Sequence, residues 1–456
     1  MNKVVFGFII LCCACLSKNL NAQDKWLGTK TPYHPLQTIY TQPPKGYKPV
    51  FVNHVGRHGS RFLTKPGSDV IVLNTLTLAD EKNALTAKGK RFKKMAALFE
   101  NIEKGSYENI TLSGYDEQQG IGSRMNKRYS NVFKGNGLDV QMTYKVRTQQ
   151  SADGFLKDFK NYPSGKIQRF VAPDTADDAL RFYDISPAYI AYSNSKALKQ
   201  REDSLLNDSQ MDQVAENICD RLFTSAFTHE LSTGIEITLN GKKKNIDAIA
   251  FVQSLYDIYS MQFMVQKELR KQQLDKTSLD FGGAFQQEDL QWLDKVNNAA
   301  DFFEKGPGSD TMGIQVIIAV PLLVDFINII DSIIDGTKKA DAKLRFTHAE
   351  AISPFATLLG IPQASVPAGS VYIYDKTWNA SGIIPMSANI QWILYSNEKG
   401  YLIKMLLNEK EVTFPVSTKY YPYYNWQQVK SFYVKKLSWL NVDLKDNMHQ
   451  YLLQVK

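Results

Sequence analysis

Residues 55–66 have the sequence VGRHGSRFLTKP, in which two arginines and a histidine lie within five consecutive positions. The arginines are Arg57 and Arg61, and the histidine is His58. A guanidinium group stays charged at any working pH and can hold two oxygens of a phosphate monoester at once. An imidazole aimed at phosphorus can act as a nucleophile and form a covalent intermediate. This spacing therefore predicts a site for one small anion and favours phosphoryl transfer.

Two further segments carry side chains that suit the same chemistry. Arg147 closes DVQMTYKVR, which is predicted to be a strand, and RFTHAE places His348 and Glu350 at the end of another predicted strand. In an open α/β sheet, ligands bind beyond the carboxyl ends of the strands, so these residues are expected to meet there. Glu350 is then placed to protonate the leaving alcohol and afterwards to activate water. Because positive side chains around the phosphate supply electrostatic stabilisation, we expect no metal and no other cofactor.

The elements that must position these residues alternate in type along the chain. A strand is predicted over 49–55, and a helix over 84–102, where the apolar residues are spaced onto one face. The segments GIGSRMNKRYSNVF and TQQSADGFLKDF are predicted as helices, LRFTH as a strand, and YLIKMLLNEKEVTF as a hairpin. A helix is expected over 321–335 and another from Ser353. This alternation predicts an α/β fold with a largely parallel central sheet flanked by helices.

The alternation stops in the middle of the chain. Between residues 175 and 312, long helical patterns such as MDQVAENICDRLFTSAF dominate. We therefore predict one α/β domain in two pieces, 23–174 and 313–456, with a mostly helical inserted cap domain over 175–312. The glycine-containing segment FEKGPGSD, residues 303–310, is expected to be the hinge back.

The N-terminal segment has the layout of an export signal. Lys3 precedes an apolar run from Val4 to Leu16, and small and polar residues follow as far as Ala22. We expect residues 1–22 to be a signal peptide that is cleaved after Ala22, which predicts a periplasmic or secreted protein. Lipid attachment at Cys15 is the alternative, and it would associate the protein with a membrane.

The apolar stretch VIIAVPLLVDFINII, residues 316–330, is interrupted by Pro321 and carries Asp325. It is therefore interpreted as a strand or loop followed by a core helix, and not as a membrane span. Three of the four cysteines lie in the predicted signal, which leaves Cys219 in the mature chain. One cysteine cannot form an internal disulfide or a cysteine-based metal site.

Five motifs, in order along the chain, resemble one enzyme family. RHGSR is similar to the RHGxR signature of the histidine phosphatase superfamily, clade 2, which holds histidine acid phosphatases and phytases. HAE at 348–350 resembles the proton-donor motif of multiple inositol polyphosphate phosphatases, where most other members carry His-Asp. LTAKG at 85–89, GSRMNKRY at 122–129 and RTQQSA at 147–152 also resemble segments of the family. The resemblance covers most of the mature chain, the helical insertion included.

The resemblance implies a role for each matching residue. His58 would be the nucleophile that forms a phosphohistidine, and Glu350 would be the proton donor. The phosphate would be bound by Arg57, Arg61, Arg147 and His348. One departure is Leu63, which stands where the family often has a proline and bears on the conformation of the loop. Lys65 lies beside Thr64 in the loop that follows His58, here called the nucleophile loop, and is a further candidate for binding a second substrate phosphate.

The candidate site residues also have interpretations without a functional role. His348 and Glu350 could cap a following helix, and Arg147 could be a plain surface arginine. The formal charge of +8 fits an anionic ligand and equally a soluble surface, while scattered basic residues and the export signal argue against nucleic-acid binding. The main hypothesis is an exported phosphatase acting on inositol polyphosphates, phytate above all. A broad-specificity acid phosphatase and a catalytically silent phosphate-binding protein are the alternatives.

Overall fold

The computed structural model describes residues 26–163, 165–173 and 177–456. The predicted signal peptide, with Cys15 and Ala22, lies outside the described residues. Ten strands occur in the described part: β1 (Lys48–Arg57), β2 (Leu138–Met142), β3 (Ile167–Val171), β4 (Ile235–Leu239), β5 (Lys242–Ile246), β6 (Ala342–Thr347), β7 (Asn389–Asn397), β8 (Gly400–Leu407), β9 (Lys410–Val412) and β10 (Tyr424–Asn425). Eight of them form one sheet, and β4 and β5 form a separate hairpin.

The large sheet has a parallel half and an antiparallel half. Its order is β10-β8-β7-β1-β6-β2-β3, with β9 paired to β8. Strands β1, β6, β2 and β3 run parallel, with Arg57 opposite Thr347 in the β1–β6 register. Strands β7, β8, β9 and β10 pair antiparallel, and β8 with β9 is the predicted hairpin. The α/β fold with a mostly parallel core is confirmed, and the hairpins extend it on one side.

Eighteen helices are described: α1 (Ser68–Glu81), α2 (Ala87–Glu103), α3 (Leu112–Arg128), α4 (Val146–Leu156), α5 (Phe182–Ile185), α6 (Pro187–Ser193), α7 (Lys196–Leu206), α8 (Ser209–Leu222), α9 (Ser225–Thr233), α10 (Ala248–Met261), α11 (Gln266–Lys271), α12 (Gln287–Lys305), α13 (Ile314–Ile317), α14 (Val320–Ile334), α15 (Ala349–Leu358), α16 (Ala380–Ile383), α17 (Trp426–Trp439) and α18 (Met448–Gln454). Helix α2 fulfils the prediction over 84–102, and its Phe92, Ala96 and Phe99 are buried. That face packs into the core because the helical period brings these positions together.

Three predicted boundaries are wrong, each for a local reason. Helix α3 begins at Leu112 rather than near its glycines, because the side chain of Thr111 caps the amide of Gly114. Helix α15 begins at Ala349 rather than at Ser353, where Ser-Pro resembles a helix start but lies inside the helix. Strand β2 ends at Met142, so Arg147 does not close it.

One helical segment of the described residues is long and apolar enough to cross a membrane. It is Ile314–Ile334, with a mean hydropathy of 2.2, and 67% of its most apolar window is buried inside the fold. The core helix predicted after Pro321 is confirmed as α14, whose Leu322 and Ile327 belong to the main core. The strand or loop predicted before Pro321 is wrong, since α13 is helical. A short apolar run does not by itself distinguish these states.

Between β3 and α13, the chain forms helices α5–α12 and the β4–β5 hairpin, which agrees with the helical pattern predicted there. Phe251 and Leu255 of α10 share one buried cluster with Val72 and Leu76 of α1. The division into an α/β domain (23–174 and 313–456) and a cap domain (175–312) remains a prediction. The packing shows that the helical segment is joined to the rest by a common core.

Candidate active site

His58 follows the last residue of β1 and is fixed on both sides by backbone hydrogen bonds. Its amide donates to the carbonyl of Thr347 on β6 at 3.0 Å, and its own carbonyl accepts from the amide of Ser387 at 3.0 Å. In the ring, Nδ1 lies 2.9 Å from the carbonyl oxygen of Gly59. A carbonyl only accepts, so Nδ1 carries the proton and Nε2 keeps a free lone pair. Nε2 is therefore the atom available for nucleophilic attack.

The surroundings of His58 keep its imidazole neutral. Burial holds the pKa of His58 well below its usual value, and the charges of Arg57 and Arg147 lower it further. The side chain is 4% exposed. A neutral imidazole is the nucleophilic form, so this environment favours attack even in acid solution.

A close approach between two glycines fastens the nucleophile loop to α3. A Cβ at Gly59 would lie 2.5 Å from the carbonyl oxygen of Gly114, and one at Gly114 would overlap the carbonyl oxygen of Ser60. Next to this contact, the amide and hydroxyl of Ser60 donate to the carboxylate of Glu117 at 2.9 and 2.6 Å. The loop is thereby held rigidly against the helix, and with it the position of the His58 ring.

Three arginines surround His58 and keep some of their donors unpaired. Nη1 of Arg57 donates to two carbonyls, those of Thr29 and Ile384, both at 2.6 Å. In these three arginines, the buried nitrogens that have no partner among the described residues are Nε of Arg57, Nε of Arg61, and Nε and Nη1 of Arg147. Buried donors are costly unless something accepts from them. Together they predict an anion that accepts several hydrogen bonds.

These guanidinium groups remain charged near neutral pH in spite of their burial. Burial, with the neighbouring charges of Arg147 and Arg57, lowers the pKa of Arg61 to about 10. Burial also lowers the pKa values of Arg57 and Arg147, and the carboxylate of Glu350 acts against that effect in both. The three arginines therefore give the cluster around His58 an excess of positive charge, which a phosphate dianion would balance.

Arg147 lies in the first turn of α4 and not at the end of a strand. The hydroxyl of Thr148 donates to the carbonyls of Thr143 at 3.0 Å and Lys145 at 2.7 Å, which ties down the turn between β2 and α4. This side chain-to-backbone bonding competes with an extended chain, although TYKV has the composition of a strand. The structure still brings Arg147 beside His58.

His348 lies at the N-terminus of α15, directly after β6, and its ring is fixed by two partners. Nε2 lies 3.0 Å from Oγ1 of Thr143 and 3.2 Å from Nη1 of Arg181. A guanidinium only donates, so Nε2 accepts and the ring proton is on Nδ1. Nδ1 is buried without a partner among the described residues. With the ring centroids of His58 and His348 5.5 Å apart, this N–H is placed to bind an anion attacked by His58.

Glu350 is the second residue of α15, and 38% of its side chain is exposed. Its Oε1 accepts from Nζ of Lys305, the last residue of α12, at 3.1 Å. Burial alone would raise the pKa of Glu350, but the ammonium of Lys305 and the ring of His348 hold it well below its usual value. These neighbours therefore favour the ionised carboxylate. A bound phosphate adds negative charge nearby, which raises the pKa and favours uptake of a proton.

Three cations near this cluster were not predicted from the sequence. Lys305 pairs with Glu350, Arg181 bonds to His348, and Lys30 lies near Arg61 and Arg57. Burial and the charge of Arg61 lower the pKa of Lys30 to about 7. None of the three belongs to a motif, so only the tertiary contacts reveal them.

The predicted residues come together with one exception. Arg57, His58, Arg61, Arg147, His348 and Glu350 all interact within one cluster, as their mutual charge effects show. Lys65 is exposed in the loop that leads to α1. Its predicted role in binding a second phosphate remains a prediction.

A family model for the histidine phosphatase superfamily (branch 2) matches residues 50–408, which contain the whole cluster. The chain belongs to this superfamily. It is accordingly a phosphate monoester hydrolase, and the resemblance seen in the five motifs is confirmed. None of the curated protein sequences matches this chain.

Solved structures share the fold of this superfamily member. A Bifidobacterium longum multiple inositol polyphosphate phosphatase in complex with phosphate has a TM-score of 0.77 at 24% identity, over 89% of this chain and 97% of that one. Its complex with inositol hexasulfate has a TM-score of 0.76 at 23% identity, with the same coverage. A phytase from D. castellii has a TM-score of 0.61 at 16% identity, over 92% and 86% of the two chains.

Proposed function

We propose that this protein hydrolyses the phosphate monoesters of inositol polyphosphates, phytate above all, through a phosphohistidine on His58. The observation that carries the proposal is the pairing of a neutral, buried His58 with unpaired arginine donors and with Glu350 at the edge of the same site. The B. longum phosphatase of the same fold is complexed with phosphate and with inositol hexasulfate, which supports a ligand of this shape.

In the first step, Nε2 of His58 attacks phosphorus. The Nε2–P bond forms, the bond from phosphorus to the ester oxygen breaks, and the proton on Glu350 moves to the departing alkoxide. The ring becomes positively charged as it is phosphorylated. The hydrogen bond from Nδ1 to the carbonyl of Gly59 stabilises that charge.

In the second step, water attacks the phosphohistidine. The carboxylate of Glu350 takes a proton from the water, the new P–O bond forms, and the Nε2–P bond breaks to return the lone pair to His58. Inorganic phosphate leaves, and Glu350 is protonated again. In both steps, the arginines and Nδ1–H of His348 bind the phosphate oxygens on which negative charge is concentrated.

A polyanionic substrate would place negative charge beyond the phosphate clamp, which is formed by Arg57, Arg61, Arg147 and His348. Lys30, Arg181 and Lys305 lie near the clamp, and each pairs with a carboxylate, namely Asp257, Asp184 and Glu350. A single phosphate dianion is already balanced by the arginines, whereas a substrate with several phosphates places charge on the rim as well. Lys65 remains the candidate for one such contact.

The test is release of inorganic phosphate by the purified protein in the presence of a chelator. We expect inositol hexakisphosphate to be turned over with a higher kcat/KM than p-nitrophenyl phosphate or glycerol phosphate. Brisk turnover of the simple esters without release from the hexakisphosphate would favour a broad-specificity acid phosphatase. Binding of phosphate without turnover of any ester would favour a catalytically silent binding protein.

Export is a separate proposal that rests on residues 1–22 alone. We infer that the chain is directed to the periplasm or secreted and is cleaved after Ala22. Mass spectrometry of the protein from its host would then give a chain that begins at Gln23. A lipid-modified N-terminal peptide that begins at Cys15 would support the anchored alternative, and an uncleaved chain would contradict export.

A further inference from the structure

The last turn of α12 reaches the proton donor from the helical segment of the chain. Nζ of Lys305 lies 3.1 Å from Oε1 of Glu350 and 2.9 Å from Oδ1 of Asp301, and the lysine side chain is 12% exposed. A buried ammonium is stable only where carboxylates surround it. Lys305 is therefore fixed between two acids, one of which is the proposed proton donor.

We propose that Lys305 is a positioning residue for Glu350, which it holds by Oε1 so that Oε2 carries the proton to and from the substrate. The inference rests on the proposed function, because it concerns the same proton transfer. An ammonium that donates to Oε1 makes protonation of that oxygen unfavourable, so the proton is directed to Oε2. The contact also fixes the carboxylate in one orientation, which proton transfer to a bound ester requires.

The remaining charges around Glu350 determine the direction of the effect. The cationic groups around it are Lys305, Arg57, Arg61 and Arg147, the neutral ring of His348 lies beside it, and the acidic or phenolic groups are Asp184, Asp301, Glu304, Tyr183 and Tyr189. Cations lower a carboxyl pKa and acids raise it. Lys305 is the largest contributor among the cations and the one in direct contact. Its removal therefore raises the pKa of Glu350.

The contact between Lys305 and Glu350 favours the second step, in which water hydrolyses the phosphohistidine. To accept a proton from water, Glu350 must be ionised in the phosphohistidine intermediate. A neighbouring ammonium favours the ionised form. In the first step, the bound ester with its negative charge offsets Lys305, so Glu350 can hold a proton. Lys305 thereby prevents the carboxyl group from remaining protonated after the alcohol has left.

The experiment measures, at a series of pH values, the rate at which the phosphohistidine of the full chain is hydrolysed in a single turnover of labelled inositol hexakisphosphate. In this step Glu350 must be ionised to take a proton from water, so the acid limb of the profile reports the titration of Glu350. We expect the acid limb of Lys305→Met to move to higher pH by roughly 1–3 units, the effect of losing one close opposite charge. Lys305→Gln, which keeps a hydrogen-bond donor but no charge, should move it as well. Lys305→Arg should stay close to wild type.

The matched control is Lys295→Met, on the same helix. Lys295 pairs with Asp375 at 3.3 Å and lies outside the cluster around Glu350, so its loss should leave the profile unchanged. If activity falls in Lys305→Met and Lys305→Gln while the acid limb stays in place, the positioning role is wrong and the phosphatase assignment stands. If the wild-type chain releases no phosphate, the proposed function fails and this inference fails with it.

Discussion

Gly114 lies so close to Ser60 that a Cβ at position 114 would overlap the Ser60 carbonyl oxygen and lie 2.7 Å from its amide nitrogen. Both obstacles are backbone atoms, and the Ser60 loop carries His58. Gly114→Ala should therefore displace the nucleophile and reduce kcat. It should also lower the free energy of unfolding by about 1–3 kcal/mol, as overpacking does. Steady-state kinetics and urea unfolding measure the two effects.

Gly369→Ala is the control for that variant. Apart from Gly369 and its two chain neighbours, the described residues have no heavy atom within 4 Å of a Cβ at position 369. This substitution should leave both kcat and stability close to wild type. If Gly114→Ala behaves like Gly369→Ala, the close contact does not hold the loop.

His58→Ala should abolish turnover of every phosphate monoester, because the neighbouring ring of His348 faces the phosphate with Nδ1–H and has no lone pair there for attack. Inorganic phosphate should still bind, since the arginine donors and Nδ1–H of His348 remain. The measurement is acid-quenched labelling with radioactive substrate. Label should be trapped on wild-type protein and absent from the variant. Residual turnover with a labelled residue other than His58 would contradict the assignment.

Glu350→Gln separates proton donation from a structural role. With inositol as a poor leaving group, the rate should fall by about 10²–10⁴-fold, which is the usual contribution of general acid–base catalysis. With p-nitrophenyl phosphate, whose leaving group needs little protonation, phosphorylation of His58 should lose much less. Burst kinetics measure that step apart from hydrolysis. Equal losses on both substrates, together with weaker binding, would mean that Glu350 holds the site rather than donating a proton.

Glu103 makes stability depend on pH through its burial beneath the nucleophile loop. Its Oε2 accepts from the amide of Leu63 at 2.7 Å, while burial raises the pKa of Glu103 to about 8. The folded state thus keeps a proton that the unfolded state loses above its ordinary pKa, 4.5. The free energy of unfolding should therefore fall as pH rises from about 4.5 to 8. Glu103→Gln should weaken this fall.

Urea unfolding at both ends of this pH range measures the effect. The control is Glu81→Gln, at the exposed end of α1, which should keep the wild-type dependence on pH. A Glu103→Gln variant that loses as much stability over the range as the wild type would contradict the role of Glu103.

The prediction and the structure differ mainly in where helices and strands begin and end. Residues that belong to a motif lie where the sequence predicted them, as for His58 after β1 and His348 after β6. Element boundaries were less accurate, because Arg147 and Glu350 each lie in the first turn of a helix that was predicted to begin later in the chain. Capping by Thr111 and hydrogen bonding by Thr148 decide such boundaries, and these contacts depend on the folded backbone.

The sequence by itself was enough to predict the fold class and the enzyme class of this protein. The order of RHGSR and HAE, and the alternation of strands with helices, were enough to predict an α/β phosphatase with His58 and Glu350 at strand ends. Local spacing carries that information, because motifs lie within a few residues of each other and periodicity follows from backbone geometry.

Only the tertiary structure decided which charged groups lie around His348 and Glu350. Lys305 meets Glu350 across 45 positions of the chain, and Arg181 meets His348 across 167. The tautomer of His348 and the ionised state of Glu350 depend on these long-range partners. Burial and nearby charges determine pKa values, and both arise only when distant segments pack together.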